Sequence, residues 1–175
     1  TIKNENNKQH EFSNIAFIHL KDIIQLSSKI QIIPGLKSSF VIGSTFYVEP
    51  RLELFYNPFE KIKIKISTGY YNQFISQIPI TVDNKTNYYH WKISDNVQAP
   101  LLSSIHNVGG VSYDYNGVSL SFDVFQKYIY NLTQYRLTSS NSLFTYQIGS
   151  ANIYGFDTYI KKKFKKIELW GNYTY

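Results

Sequence analysis

Few residues of this sequence belong to types that perform chemistry, and their spacing does not assemble a reactive site. The histidines His10, His19, His90 and His106 are scattered, without an H-x-x-x-H pair or the carboxylate spacing of a metal site. There is no cysteine, which excludes disulfides, thiol catalysis and cysteine-ligated metals. No Ser–His–Asp or paired-carboxylate arrangement follows from the spacing. We therefore predict no enzymatic activity, no metal site and no cofactor.

The best candidate for ligand contact is a run of aromatic residues. Tyr88, Tyr89, His90 and Trp91 are consecutive and fall in the longest predicted link between regular elements. Exposed aromatic clusters on loops are typical of binding sites, so these four residues are the predicted ligand-binding set. The alternative is a loop that packs on itself.

Lysine-rich segments raise the question of nucleic acid, because the net charge is +6 and the sequence pI is about 9.3. The segments are Lys61–Lys65 and Lys161–Lys166, and both interleave lysine with apolar or aromatic residues. In a strand these two kinds of residue point to opposite faces and cannot form one stacking platform. We predict no nucleic-acid partner, and a place beside lipid headgroup phosphates for the lysines near turns.

The elements that position these residues are strands. From Lys61 to Tyr70, isoleucines and then Thr68 and Tyr70 alternate with lysines, Ser67 and Gly69, a period of two that gives a helix no apolar stripe. Similar alternation recurs along the chain, and it predicts about eight strands near 12–22, 29–39, 46–56, 61–72, 106–116, 118–130, 153–164 and 167–175. No segment has a convincing helical period with caps.

Turn residues predict how these strands connect. Asn116-Gly117 is a strong hairpin signal, 57–60 (Asn-Pro-Phe-Glu) is predicted as a four-residue turn, and 27–29 and 164–166 as tight reversals. Longer links are predicted at 40–46, 74–105 and 131–152. Short and long connections therefore alternate along the chain.

Strands of about 9–12 residues are long for a globular protein and suit a tilted membrane-spanning strand. The longest apolar run is Ile15–Ile18, far too short for a transmembrane helix, and a mean hydropathy of −0.28 is compatible with alternating barrel strands. Aromatic residues make up 17% of the chain and flank the turns and links, as in the two aromatic girdles of a membrane barrel. The predicted fold class is all-β: an antiparallel transmembrane β-barrel segment of up-and-down strands, with short periplasmic turns and long extracellular loops.

Within such a barrel, charged residues at every second position point inward. The predicted lumen-facing residues are Glu49, Arg51, Glu53, Lys63, Lys65, Asp123 and Asp157. They could contact a plug or line a ligand path, but a charge ladder that keeps a polar interior satisfied is the favoured interpretation.

Several segments resemble the barrel strands of TonB-dependent outer-membrane receptors. The resemblance is carried by 47–57 (YVEPRLELFYN) with 64–73, by 104–110 running through 120–128 and 131–133, and by 151–157 with 161–164 and 169–175. It covers the chain from about residue 11 onward. It implies that residues 1–175 are a partial β-barrel domain of a receptor with about 22 strands, whose plug domain and remaining strands are absent from this sequence.

The resemblance further implies a location in the outer membrane of a Gram-negative bacterium and uptake of a scarce nutrient: a metal chelate, a vitamin or an oligosaccharide. The implied partners are outer-membrane lipid, the plug domain of the same protein, an unknown small-molecule ligand, and the energy-transducing TonB complex through parts missing here. One alternative is a complete eight-stranded barrel with a structural or adhesive role. Another is a soluble binding barrel with isoleucines inward and charges outward.

Overall fold

The computed structural model describes residues 14–41, 46–82, 86–94, 99–138 and 143–175, and in these ranges every regular element is a β-strand. The strands are β1 Ile15–Lys21, β2 Ile24–Gln25, β3 Ile30–Val41, β4 Phe46–Phe59, β5 Ile62–Gln73, β6 Ile75–Val82, β7 Thr86–Ile93, β8 Leu102–Tyr115, β9 Val118–Thr138, β10 Leu143–Phe164 and β11 Ile167–Thr174. Within the described ranges there is no helix with the length and apolar character needed to cross a bilayer.

Eight strands form an antiparallel meander in the order β1-β3-β4-β5-β8-β9-β10-β11. These are the eight strands that the alternating patterns predict, so the predicted all-β, up-and-down architecture is confirmed. In the described residues β1 and β11 are the two edges and do not pair with each other, so the sheet is open. The two-residue β2 pairs with β3, and β6 and β7 form a hairpin outside this path.

The short turns lie at one end of the sheet. Asn116 and Gly117 both have positive φ, 48° and 74°, which matches the right-handed twist of the β8 and β9 strands that they join. The reversals at 27–29 and 164–166 are also confirmed, the latter with a two-residue turn between Phe164 and Ile167. The turn predicted at 57–60 was displaced: β4 continues through a register shift to Phe59, which pairs with Ile62, and the turn is Glu60-Lys61.

The longer links contain more regular structure than the sequence predicts. Within 74–105, β6 and β7 pair along their whole length, so most of this predicted loop is a hairpin. Within 131–152, β9 and β10 continue their pairing from the sheet, so the prediction of a loop was wrong over most of this range. The link predicted at 40–46 is shorter than expected, because Phe40 pairs with Phe46; residues 42–45 lie outside the described residues.

The register separates the meander into two unlike faces. One face, here called the apolar face, carries in successive rows Leu54, Ile66 and Val124, then Tyr56, Ile64, Val111 and Phe122. Most of these side chains are exposed, with Ile66 57% and Val124 48% accessible, whereas Leu54 and Ile64 are half-buried. The opposite face, the polar face, carries the charged residues. The only buried hydrophobic cluster of the described residues is small and consists of Ile78 of β6, Ala99 and Tyr135 of β9.

Aromatic residues lie toward both ends of the apolar face. Near the short turns are Tyr56, Phe59, Tyr113, Tyr115 and Phe164; toward the other end are Tyr70, Tyr128, Tyr130 and Tyr154. Two residues that the sequence places beside the long links depart from this pattern. Tyr71 is on the polar face, opposite Ser104, and Phe156 is in the middle of the apolar face, 5.7 Å from Phe122 between ring centroids.

Candidate functional site: a charged sheet face and an aromatic hairpin

The polar face brings together the seven charged residues predicted to face a lumen. Directly paired residues of antiparallel strands share a face. Lys65, Gly110, Asp123 and Asp157 form one row across β5, β8, β9 and β10, and the charged residues of β4 belong to the same face through pairs such as Glu53 with Ser67. The common face is therefore established, whereas the presence of a lumen on that side stays a prediction.

Glu49 is the most enclosed charge on this face, with 1% of its surface accessible. One carboxylate oxygen is 2.7 Å from Lys37 Nζ, and the other accepts the backbone N–H of Asn72 at 2.7 Å. The β4–β5 ladder ends at Arg51 and Gly69, so Asn72 is above the last backbone pair. The carboxylate thus takes the place of a strand partner where β4 and β5 diverge. The Asn72 side chain in turn accepts a hydrogen bond from Ser103 at 2.8 Å.

Arg51 stands one row nearer the short turns, between Gly35 and Gly69. Its guanidinium carbon is 4.4 Å from the centroid of the Tyr71 ring, and that ring occupies the space where a side chain on Gly69 would begin. The other neighbour of Tyr71 is the His106 ring, with 4.5 Å between centroids. This is a cation–ring–ring stack that holds a positive charge on the polar face.

A second charge pair on this face spans two strand spacings. Lys65 Nζ is 3.1 Å from the Asp123 carboxylate, although β8 lies between β5 and β9. The contact is possible because Gly110, between them in the row, has no side chain, and the Asp123 carboxylate lies where its Cβ would be. Of the remaining predicted residues, Glu53 pairs with Lys21 at 3.3 Å, Lys63 Nζ is 4.8 Å from the Phe55 ring centroid, and Asp157 lies beside Asp123 in the same row.

The predicted ligand-binding residues are on β7 of the hairpin rather than in an irregular loop. Strand alternation separates them: Tyr88 and His90 pair with Ile80 and Ile78, whereas Tyr89 and Trp91 pair with Pro79 and Gln77 on the other face. Tyr88, Tyr89 and Trp91 are 60%, 65% and 64% accessible. The hairpin therefore presents aromatic surface in two directions, and a single four-residue cluster does not form.

The hairpin is seated beside the extended part of β9. Ile80, Thr81 and Val82 pair in parallel with residues 135–137, where β9 has passed the end of β8. At this transition Asn131 has a positive φ of 60°, and its side-chain amide donates to the Leu101 carbonyl at 2.8 Å. A shift of register in β10 between Gly149 and Ala151 accompanies it.

A groove of about 640 Å³ opens between the hairpin, β9 and β10. Its described lining holds no charged residue: amides come from Gln77, Asn131, Gln134 and Gln147, hydroxyls from Ser76, Thr133 and Ser150, and apolar surface from Ile78, Leu132 and Ile148. Sequence reasoning missed these residues because it assigned 131–152 to a loop. The sequence signal that could have found them is the combination of amide and hydroxyl side chains with β-branched and aromatic residues, which favours a strand with a polar face.

Solved structures of known proteins share this fold. The siderophore receptor PirA from Acinetobacter baumannii matches with a TM-score of 0.67 at 13% identity, over 93% of this chain and 27% of the receptor. A PfeA ferric enterobactin receptor mutant from Pseudomonas aeruginosa, in complex with enterobactin, matches with a TM-score of 0.68 at 13% identity, over 92% of this chain and 26% of the receptor. The chain has the fold of a segment of these receptors.

The siderophore receptor PirA from Pseudomonas aeruginosa gives a similar match, with a TM-score of 0.68 at 12% identity over 93% of this chain and 34% of the receptor. The resemblance to TonB-dependent receptors seen in the sequence is thereby confirmed at the level of fold. The chain spans about a quarter to a third of the receptors that it matches. No protein-family model matches the chain, and no curated protein matches it in sequence.

Proposed function

We propose that this chain is part of the barrel of an outer-membrane receptor that takes up a scarce nutrient in a TonB-dependent manner. The observation that carries the proposal is the two-faced meander: one face of the sheet is apolar and exposed, and the other holds charges paired with one another. A large exposed apolar surface needs a partner, and hydrocarbon is the partner that suits a band of this shape.

The dimensions of the apolar face suit a bilayer. On β4 the residues that alternate from Phe46 to Tyr56 cover ten steps, which at about 3.3 Å per residue is roughly 33 Å of strand. At a tilt of about 45° this corresponds to a height near 23 Å, close to the apolar band of about 25 Å on outer-membrane barrels. The short turns would then be periplasmic, and the β9–β10 extension with the β6–β7 hairpin would be extracellular.

The polar face would line the lumen, with the seven charged residues inward. The Glu49–Lys37 and Lys65–Asp123 pairs neutralise part of its charge internally, which favours a ladder that maintains a polar interior. A plug domain of the same protein would cover this face, and coupling to the energy-transducing TonB complex would pass through that plug. Uptake by this route makes and breaks no bond.

The β6–β7 hairpin and the neighbouring groove are the proposed ligand contacts. The amides and hydroxyls of the groove suit a ligand recognised through neutral hydrogen bonds, and Tyr89 and Trp91 offer flat surfaces for stacking. A metal chelate, a vitamin or an oligosaccharide all combine these features. The extracellular position of a hairpin on a rigid sheet is typical of binding elements.

Two other functions have less support. A complete eight-stranded barrel needs β1 to pair with β11, and in the described residues these strands are at opposite edges of the sheet. A soluble barrel needs the isoleucines inside, whereas Ile66 and Ile160 are both 57% accessible.

The membrane orientation is tested by placing single cysteines along β5, since residues 1–175 contain no cysteine and any cysteine elsewhere in the intact protein is replaced by serine. The intact protein is reconstituted in lipid vesicles, and each cysteine carries a fluorophore that lipid-borne doxyl groups can quench. We expect quenching at Ile64→Cys and Ile66→Cys and little at Lys63→Cys and Ser67→Cys, since these pairs are on opposite faces. Equal quenching at all four positions would remove the membrane proposal.

Ligand contact is tested separately through Trp91, one of two tryptophans of the chain. The intact protein and its Trp91→Phe variant are titrated with ferric enterobactin, cobalamin and a maltooligosaccharide, so that the difference between their fluorescence responses reports on Trp91. We expect one of these probes to quench Trp91, and Gln134→Leu, which alters the groove wall, to weaken that response. A Trp91 signal that no probe changes would refute the hairpin as a contact while leaving the membrane orientation intact.

A further inference from the structure

At the short-turn end, the apolar face contains a groove that neither the charge ladder nor the ligand contacts use. It has a volume of about 810 Å³ and lies between the β2–β3 turn and the β4–β5 turn. Pro58, Phe59, Ile62 and Tyr113 supply apolar surface, and Phe59 is 69% accessible. Phe59 pairs with Ile62 and Ile62 with Tyr113, so the three share the apolar face.

Two lysines border this apolar surface. Lys29 Nζ donates to the Pro58 carbonyl at 3.1 Å, which draws its ammonium across from one turn to the neighbouring strand. Lys61 Nζ is 3.6 Å from the centroid of the Tyr115 ring, on the apolar side of the sheet. An ammonium has three N–H donors, so each of these contacts leaves donors for a further acceptor. The groove therefore has positive charge at its rim and apolar side chains along its wall.

The charge of the surrounding surface has the same sign. The four short turns contain Lys29, Lys61, Lys165 and Lys166 and one acidic residue, Glu60, a net charge of +3. Amphipathic surface of this kind, with lysines next to exposed aromatic and aliphatic residues, is complementary to a lipid that has an anionic headgroup and an acyl chain.

We propose that this groove is a specific site for one anionic phospholipid of the periplasmic leaflet. Lys29 and Lys61 hold the phosphate, and the first part of an acyl chain lies on Phe59, Ile62 and Tyr113. The inference rests on the proposed membrane orientation, which puts this end of the apolar face at headgroup level. The inference goes beyond the proposed function, because it assigns one specific lipid site to an apolar face that otherwise contacts any bilayer lipid.

The test is native mass spectrometry of the intact protein in detergent, titrated with phosphatidylglycerol and, separately, with phosphatidylcholine. We expect one phosphatidylglycerol to be retained and phosphatidylcholine to bind weakly. The Lys29→Gln/Lys61→Gln variant should lose roughly 25-fold in affinity, about fivefold for each lysine near an anionic lipid. Lys29→Arg/Lys61→Arg, which keeps the charge, should retain the lipid.

Lys165→Gln/Lys166→Gln is the matched control, because it removes two lysines at the same end of the sheet from a turn that does not line the groove. It should leave affinity within about twofold. Equal loss in both glutamine variants would mean diffuse attraction and would overturn the site, as would equal binding of the two lipids. Glu60→Gln removes the one acidic side chain of the groove and should tighten binding; an unchanged affinity counts against recognition by charge.

Flotation of the same samples with lipid vesicles separates this inference from the proposed function. A protein that inserts normally but retains phosphatidylglycerol regardless of Lys29 and Lys61 disproves the site alone. A protein that does not insert disproves the membrane orientation and the lipid site with it.

Discussion

Glu49→Gln tests whether the ion pair between the buried Glu49 and Lys37 stabilises the folded protein. Glutamine keeps the size of the side chain and an acceptor for the Asn72 N–H, but it removes the charge 2.7 Å from Lys37. Removing one partner of a buried pair costs about 3–5 kcal/mol when the remaining charge stays buried. Lys37 is 26% accessible and can regain part of its hydration, so we expect a loss of about 2 kcal/mol in the free energy of unfolding.

Glu53→Gln is the matched control on the same strand and the same face. Its partner Lys21 is at 3.3 Å, and the two side chains are 36% and 45% accessible. Exposed pairs contribute about 0.2–1 kcal/mol, so the control should lose no more than that. The assay is urea unfolding of the intact protein in lipid vesicles, followed by tryptophan fluorescence. Equal losses for the two variants would refute the reasoning, whereas adding Lys37→Met to Glu49→Gln should restore part of the stability.

Further predictions concern glycines and a ring stack of the same sheet, and the same unfolding assay measures them. Gly110→Ala should be about 1 kcal/mol less stable than Gly109→Ala. A Cβ at position 110 displaces the Asp123 carboxylate that reaches Lys65 on β5, whereas a Cβ at position 109 meets only Val124, at 3.8 Å. Equal stabilities of the two variants would contradict this reasoning. Gly117→Ala should cost about 1 kcal/mol, because its φ is +74°, and no loss would mean that the turn rearranges freely. Tyr71→Leu should lower the free energy of unfolding by about 1 kcal/mol, because it removes the aromatic ring that stacks on the Arg51 guanidinium.

The eight strands of the meander could be predicted because strand formation leaves a local pattern. Lys61 to Tyr70 alternates without interruption, and β5 begins at Ile62 and ends at Gln73, close to the predicted 61–72. The β8–β9 turn was predicted for the same reason, since Asn116 and Gly117 adopt positive φ at low cost. Both signals depend only on neighbours in the sequence.

The β6–β7 hairpin was not predicted, and its sequence shows why. Pro79 lies in the middle of β6, and proline normally argues against a strand that pairs on both sides. β6 forms a strand because β7 pairs with it along one side, and because the extended part of β9 pairs with its last three residues. Most of the predicted 131–152 loop is strand for a related reason, since the extended parts of β9 and β10 pair with each other there. Such pairing depends on which segments meet in space, and that is not a local property.

The sequence by itself determined the extended conformation of the chain and the two faces of each strand, because side chains alternate strictly along any strand. It could therefore assign Glu49, Arg51, Glu53, Lys63, Lys65, Asp123 and Asp157 to polar sides of their strands. Only the tertiary structure decided that Glu49 is enclosed while Glu53 stays accessible, and that Lys65 reaches Asp123 over Gly110. The register between distant strands, set by long-range hydrogen bonding and packing, decides such contacts.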